Sequence, residues 1–307
     1  MPEKRLTFVA DAPNERLDKF LLAHLDGFSR AQAQRLIREG CVLVDGAAQK
    51  TGYKLKGGER ITVRLPPRAE TSVEPEDIPL NVVYEDGALA VIDKPAGMVV
   101  HPGAGNESGT LVHALLARYP ELADMMDDPA VGERLGIAHR LDRGTSGLIV
   151  TAREKAALLA LKTQFRTRTV DKVYLALLEK RPASNRGTVD APIARDPRQR
   201  KRMAVRREGR SAQTEFEVLD DDFQGERALV RLKLLTGRTH QIRAHMAFIG
   251  CPVVGDAVYG HRKQRVKMKR QFLHAHELAF DHPASGERMG FVSELPVGLR
   301  SVMEKLR

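Results

Sequence analysis

The sequence predicts an α+β protein: a mixed, mainly antiparallel sheet domain with flanking helices, preceded by a small α/β module. Three observations carry this. The stretch PPRAETSVEPEDIP places Pro66, Pro67, Pro75 and Pro79 among charged residues, and prolines stop regular structure. Apolar residues before it recur at helical spacing and then in short runs around a tight turn. After it, strand-like runs predominate and do not alternate regularly with helices, which argues against a doubly wound parallel sheet. The expected division is residues 1–66 as the module, 67–79 as a linker and 80–307 as the large domain. A chain of 307 residues is long enough for one large core plus such a module.

In the module, Leu17, Phe20, Leu21 and Leu25 predict a first amphipathic helix. Ser29 followed by Gln32 is a capping-box pattern, and Gly40 sits where a second helix would stop. Between them Ala33, Leu36 and Ile37 form an apolar face, with Arg30, Gln34 and Arg38 on another. Asp45-Gly46 predicts a tight turn, and ITVRL (61–65) a last strand. In the large domain, VVYED, a turn at Asp86-Gly87 and LAVIDKP read as a hairpin. LIVTA (148–152), VYLALLE (173–179), TEFEVLD (214–220) and ALVRLKLL (228–235) read as strands. LVHALLARY, KAALLALKTQF and THQIRAHMAFIG read as helices.

Lysine and arginine total 50 against 40 acidic residues, a net charge of +10 and a pI of about 9.7. A chain this basic favours a polyanionic partner, nucleic acid first. Two distant cysteines, Cys41 and Cys251, make no disulfide framework and fit a reducing cytoplasm. No apolar window is long enough to span a bilayer and the N-terminus has no signal pattern, so no membrane association is expected.

Three segments could carry chemistry. In GIAHRLDRGTSGLIVTA (136–152), Asp142 stands between two arginines in a glycine-containing loop that feeds an apolar strand. It is either a reactive carboxylate or one half of a structural ion pair. Arg243, in THQIRAHMAFIG, is a surface cation or the partner of a buried carboxylate or phosphate. Tyr174, in VDKVYLALLE, is a core tyrosine or a platform for a base. Two basic runs, 195–210 with eight cations and 261–270 with six, are solvated loops or phosphate contacts. HPGAGNESG (101–109) lacks the third glycine of a dinucleotide turn and is interrupted by Pro102. His240, His245, His274 and His276 have no HExxH motif or paired cysteines beside them, so no metal site is expected.

The helix-helix-hairpin pattern, with RLDKFL and then SRAQAQRLIREGCVLVDG, resembles the RNA-binding module of the ribosomal-protein S-four type. That resemblance implies that Arg30, Arg35 and Arg38 face RNA. Nearly the whole chain, in order, resembles the RluA/RluD family of pseudouridine synthases. The matching segments are VVYEDGALAVIDKPAGMVVHPG (82–103), HRLDRGTSGLIV (139–150), KVYLAL (172–177), TGRTHQIRAHMAFIGCPVVGDAVYG (236–260) and LHAHEL (273–278). HPGAGN (101–106) and YPELAD (119–124) point to its large-subunit ribosomal RNA branch.

The resemblance implies a cofactor-free isomerase, a monomer acting on large-subunit ribosomal RNA. It implies Asp142 as the catalytic aspartate, Tyr174 as the residue that stacks on the target base, Arg243 as the partner of the aspartate and Arg140 as the arginine linked to base flipping. An ester to the sugar and a glycal route both remain open. The family often has Lys-Asp after the aspartate; here Arg143-Gly144 stands there, which bears on RNA contacts rather than on the chemistry. The alternatives are a non-catalytic ribosomal RNA-binding or assembly factor, and an RNA methyltransferase, for which a glycine-rich cofactor loop is missing.

Overall fold

The computed structural model describes residues 4–307 apart from 26, 27, 29, 66–72, 104, 126–130, 132–134, 200, 201 and 262–265. The chain divides into two compact units, Met1–Val73 with Ala123–Leu135, and Glu74–Leu122 with Gly136–Arg307.

The smaller unit runs β1 (Lys4–Val9), α1 (Leu17–His24), α2 (Arg30–Arg38), β2 (Val42–Val44), β3 (Ala47–Ala48) and β4 (Arg60–Leu65). Its sheet has the order β1-β4-β2-β3. The apolar stripes of both helices meet it: Leu17, Phe20, Leu21 and Leu25 from the first, Ala33, Leu36 and Ile37 from the second, against Val42, Val44, Ile61 and Val63. Asp45 and Gly46 both have positive φ, 48° and 81°, which is the two-residue turn that joins right-twisted strands without splaying them. β1 is an addition to the expected pattern; it pairs antiparallel along the full length of β4. Ser29, the expected helix cap, and residues 67–72 of the expected linker lie outside the described residues.

The larger unit contains β5 (Val82–Glu85), β6 (Leu89–Lys94), α3 (Leu111–Arg118), β7 (Ser146–Ala152), α4 (Lys155–Thr167), β8 (Asp171–Leu178) and β9 (Arg186–Asp190). It continues through β10 (Ile193–Arg195), β11 (Met203–Val205), β12 (Gln213–Phe223), β13 (Arg227–Leu234), α5 (Gln241–Phe248), β14 (Leu273–Asp281), β15 (Arg288–Val292) and α6 (Val297–Leu306). Nine strands form one sheet in the order β5-β6-β7-β14-β8-β13-β12-β9, with β15 paired to β14. Among the described pairs only β7 with β14 is parallel, so the sheet is mixed and mainly antiparallel. β7 is buried along its whole length, as a central strand covered on both faces must be.

Residues 74–79 carry no helix or strand, yet they are tied down. The Glu76 carboxylate accepts the Gly109 N–H at 2.9 Å, and the Glu76 N–H reaches the His113 carbonyl. The basic run 195–210 begins at the last residue of β10 and includes β11, its partner in a small two-stranded ribbon. A close approach fixes the middle of the sheet. Gly147 has φ 110°, and a Cβ there would lie 2.2 Å from the Ala275 carbonyl oxygen across the β7–β14 pair. The site described next grows from the loop that enters β7 and from the N-terminus of α5.

Candidate active site

Asp142 lies four residues before β7. Its carbonyl accepts the Thr145 N–H at 3.0 Å, closing a tight turn through Arg143 and Gly144. Neighbouring segments grip this turn. The Arg143 carbonyl accepts the Gly97 N–H at 2.7 Å, and the Arg143 side chain returns a bond to the Gly97 carbonyl at 3.1 Å. Arg270 donates to the Gly144 carbonyl and Gln271 to the Thr145 hydroxyl. A Cβ on Gly144 would stand 2.3 Å from the Gln271 side-chain oxygen, so a larger residue there would have to displace the Gln271 amide from its bond to Thr145. His139 pins the front of the loop: its Nε2 accepts the Val150 N–H at 3.0 Å and its ring stacks on Phe165. Burial first, and the Lys172 charge second, push this imidazole down to about 3, so it stays a neutral acceptor at ordinary pH.

The Asp142 carboxylate, 19% exposed, is met by Arg243 from α5. Arg243 Nη1 donates to Asp142 Oδ2 at 3.0 Å. The same guanidinium turns its other edge to Asp256, with Nε to Oδ2 at 2.6 Å and Nη2 to Oδ1 at 3.0 Å. Asp256 is fully buried and also accepts the N–H groups of Val258 and Tyr259. One arginine thus bridges two carboxylates, bidentate to the buried one and single-handed to the accessible one. Burial alone would lower the Arg243 pKa; the two carboxylates outweigh it and raise it. Burial alone would raise the Asp256 carboxyl; the Arg243 bonds and charge, with the two amides, hold it below the usual carboxylate range.

α5 is anchored for this task. Gln241 is buried; its side-chain oxygen accepts from the Thr236 hydroxyl and the Arg238 N–H, and its amide donates to Gln213 and Thr214 on β12. One turn later His245 bonds the Thr214 hydroxyl and the Ala191 carbonyl. The helix begins at Gln241 rather than at Thr239 because His240 takes the left-handed conformation, φ 55°. The His240 ring lies 3.8 Å from Asp142 Oδ1 and 3.2 Å from the Tyr259 hydroxyl. The Arg243 guanidinium sits over the Tyr259 ring, 5.1 Å from its centroid.

Tyr174 is on β8, paired with Leu232 of β13 and Ala275 of β14, and is 7% exposed. Burial, and then the Asp142 charge, raise its phenol pKa. Arg140 is exposed, and its charge is felt at His240. The larger unit therefore brings Asp142 and Arg243 together, carries Tyr174 buried on β8, and leaves Arg140 exposed. The other sequence-derived candidates belong to α2 of the smaller unit. There Arg30 joins Arg16 and Gln34 on the fully buried Asp18 carboxylate, Arg35 pairs with Glu39, and Arg38 bonds the Gln34 carbonyl. The Arg30 and Arg35 side chains stay 56% and 70% exposed despite these bonds.

Asp256, Tyr259 and Lys94 are site residues that residue-by-residue reading did not single out, and His240 figures in it only as a metal-ligand candidate. Lys94 ends β6, is fully buried and donates to the Pro95 and Met98 carbonyls at 2.8 and 2.9 Å. It staples the 95–98 turn, and that turn holds Arg143 beside Asp142. Burial, followed by the Arg270 charge, lowers this amine to about 8 against the pull of Asp142 and Asp93. Between pH 8 and the ordinary lysine value near ~10.4 the unfolded chain binds the proton that the folded chain has lost. Stability therefore rises with pH across that window, by roughly 3 kcal/mol in all for a shift of this size. Urea unfolding from pH 7.5 to 10.5 should show this rise in the unaltered protein and not in Lys94→Met; parallel curves would contradict it.

Comparison with known proteins places nearly the whole chain among relatives. Residues 88–248 match the family model described as RNA pseudouridylate synthase, and residues 15–61 match the S4 domain. A Chloroflexus aurantiacus protein, "Uncharacterized RNA pseudouridine synthase", is 48% identical over 95% of this chain and 90% of its own. A Xanthomonas campestris protein, "Ribosomal large subunit pseudouridine synthase D", is 44% identical over 96% of this chain and 90% of its own. The solved structure of "Human RNA Pseudouridylate Synthase Domain Containing 1" superposes with a TM-score of 0.59 at 29% identity, over 75% of this chain and 89% of that one. With an S4 domain at its front and Asp142 bonded to Arg243 inside the matched region, the chain belongs to the RNA pseudouridylate synthase family.

Proposed function

We propose that the protein isomerises specific uridines of large-subunit ribosomal RNA, with Asp142 as the carboxylate that acts at the sugar. The observation that carries this is the partly exposed Asp142 carboxylate, held by a buried arginine beside a buried tyrosine ring. The reaction must break the bond from ribose to uracil N1, turn the base and rejoin it through C5. A stacked uridine hides these atoms, so the nucleotide leaves the stack at a cost of a few kcal/mol, less in a loop. Arg140, at the rim, fills the gap and contacts phosphate. Tyr174 holds the detached uracil by stacking, worth roughly 1–3 kcal/mol per base. Asp142 attacks the anomeric carbon or stabilises positive charge there, as glycosidase carboxylates do.

The choice of RNA is supported by the names of relatives, three of which are called ribosomal large subunit pseudouridine synthase D. Sequencing ribosomal RNA for pseudouridine with and without the gene tests it; an unchanged large-subunit map would refute the substrate. Residues 1–66 serve as the targeting module, joined through 67–79 to the catalytic domain at 80–307. The protein is taken to act as a monomer in the cytoplasm, a compartment in keeping with the two free cysteines Cys41 and Cys251. Among the described residues no helix is long and apolar enough to cross a membrane.

Arg30, Arg35 and Arg38 are taken as phosphate-binding residues of the module. Replacing all three by alanine should weaken RNA binding and flatten its salt dependence, with the slope of log K against log salt falling by about 1 for each phosphate no longer neutralised. The single-turnover rate at saturating RNA should stay close to that of the unaltered protein. An unchanged salt slope would remove these arginines from the interface.

A further inference from the structure

Isomerisation has a second half that Asp142 does not account for. Once the C5–C1′ bond has formed, C5 still carries its hydrogen and N1 carries none, so one proton must leave C5 and one must reach N1. We propose that His240 is the base that takes the C5 proton and returns it to N1. This rests on the reading of Asp142 as the sugar-facing carboxylate.

The placement follows from that reading. The anomeric carbon must come within about 3–3.5 Å of the Asp142 carboxylate to react. The new C5–C1′ bond is about 1.5 Å long, so C5 lies within roughly 5 Å of the carboxylate. His240 Nε2, 3.8 Å from Asp142 Oδ1, is inside that reach. The other polar groups of the site are poorer candidates, the Lys94 amine being committed to the Pro95 and Met98 carbonyls. Arg243 and Arg140 have no lone pair to offer. Tyr174 would have to act as phenolate, and burial raises its pKa.

The hydrogen bonds also fix which nitrogen is available. The Tyr259 hydroxyl donates to the Met203 carbonyl at 3.0 Å and accepts the Met203 N–H at 2.8 Å. Its one hydrogen is committed, so the 3.2 Å contact with His240 Nδ1 is a bond donated by Nδ1–H. The neutral ring therefore keeps its lone pair on Nε2, facing Asp142. The groups around the ring are Asp142, Arg243, Asp256, Arg140 and Tyr259. Burial, with the two arginines, lowers the imidazole against the two carboxylates, so the base form prevails at neutral pH. Finally, His240 is held in the left-handed region at φ 55°, a conformation that non-glycine residues adopt at a cost and that clusters at functional sites.

The step balances without a co-reactant. The C5–H bond breaks and an Nε2–H bond forms. The released electron pair restores the C5=C6 double bond, and the C6=N1 pair moves onto N1. The imidazolium then gives its proton to N1, directly or through water, and His240 is neutral again.

The test uses the full-length protein and in vitro transcribed large-subunit ribosomal RNA whose uridines carry hydrogen or deuterium at C5. His240→Gly suits it, because glycine accepts φ 55° without strain and leaves room for a free imidazole. His240→Asn, which also tolerates this conformation, serves as the second variant. Single-turnover formation of pseudouridine should slow by about 10²-fold or more in both. A primary C5 isotope effect should appear in the variants, and added imidazole should restore His240→Gly, with substituted imidazoles ranking by basicity. Variants that match the unaltered protein, or that are slow with no C5 isotope effect, overturn the proposal. Failure of the Asp142 reading shows separately, as turnover by Asp142→Asn whatever His240 does.

Discussion

Asp142→Asn is expected to abolish isomerisation while leaving RNA affinity within a few-fold of the unaltered protein. The amide keeps the shape of the side chain and can still accept the Arg243 Nη1 hydrogen bond through its oxygen. What it loses is the negative charge that can bond to the sugar or balance positive charge on it. Removing the nucleophile or the key charge from a catalytic group acting as a unit costs on the order of 10⁴-fold or more in rate. On the proposed function, RNA affinity rests instead on many cations, the arginines of α2 and the basic runs at 195–210 and 261–270 among them. Single-turnover kinetics and filter binding on the same preparation separate the two effects. Appreciable turnover by the purified variant would sink the assignment of Asp142. Loss of binding in step with activity would mean that the carboxylate holds the RNA rather than transforms it.

Much of this site was legible in the sequence, for reasons that can be named. Asp142 stands out because a carboxylate between two arginines, in a loop with glycines, feeds an apolar strand. The strands are legible because β6, β7, β8 and β13 are runs of Ala, Val, Ile and Leu that a buried sheet requires. β14 was not, because its run LHAHELAFD puts histidines where a core strand would carry aliphatics. The buried His274 there is satisfied by the Ser146 hydroxyl and the Ser293 carbonyl, partners far away in the chain. β1 escaped for a related reason: its alternating residues become a strand only through pairing with β4, more than fifty residues on.

Asp256 shows the same limit inside the site. A Gly-Asp followed by Ala-Val-Tyr reads locally as a turn, and Asp256 Oδ1 does accept the Val258 and Tyr259 amides as a turn aspartate would. Nothing local reveals that the same carboxylate faces Arg243 on a preceding helix. The left-handed His240 is equally hidden, since a histidine before a helical run reads simply as its first turn.

The shared arginine gives the second large effect, on stability as well as rate. Arg243→Met should lower activity by roughly 10²–10³-fold, the usual cost of losing one preorganised donor to a reacting group. It should also destabilise the larger unit by about 3–5 kcal/mol, because Asp256 is left as a buried, unpaired charge. For a domain of this size that lowers Tm by roughly 10 °C. The sign of the pH dependence then separates this cause from simple loss of packing. In the unaltered protein Asp256 is held below the usual carboxylate range. Its contribution is complete above the unfolded value of about 3.9 and is lost as pH falls through the depressed folded value. In Arg243→Met the lowering partner is gone and burial pushes the carboxyl up, so protonation relieves the folded state as pH falls. The stability deficit of the variant should therefore narrow on acidification from pH 7 to pH 5. Asp256→Asn added to Arg243→Met should recover much of the stability at pH 7 without restoring activity, because the asparagine oxygen still accepts the Val258 and Tyr259 amides while Asp142 remains without its donor. A deficit that stays constant across pH, or a double variant no more stable than Arg243→Met, would show that Arg243 stabilises the fold through the packing of its stem and not by neutralising Asp256.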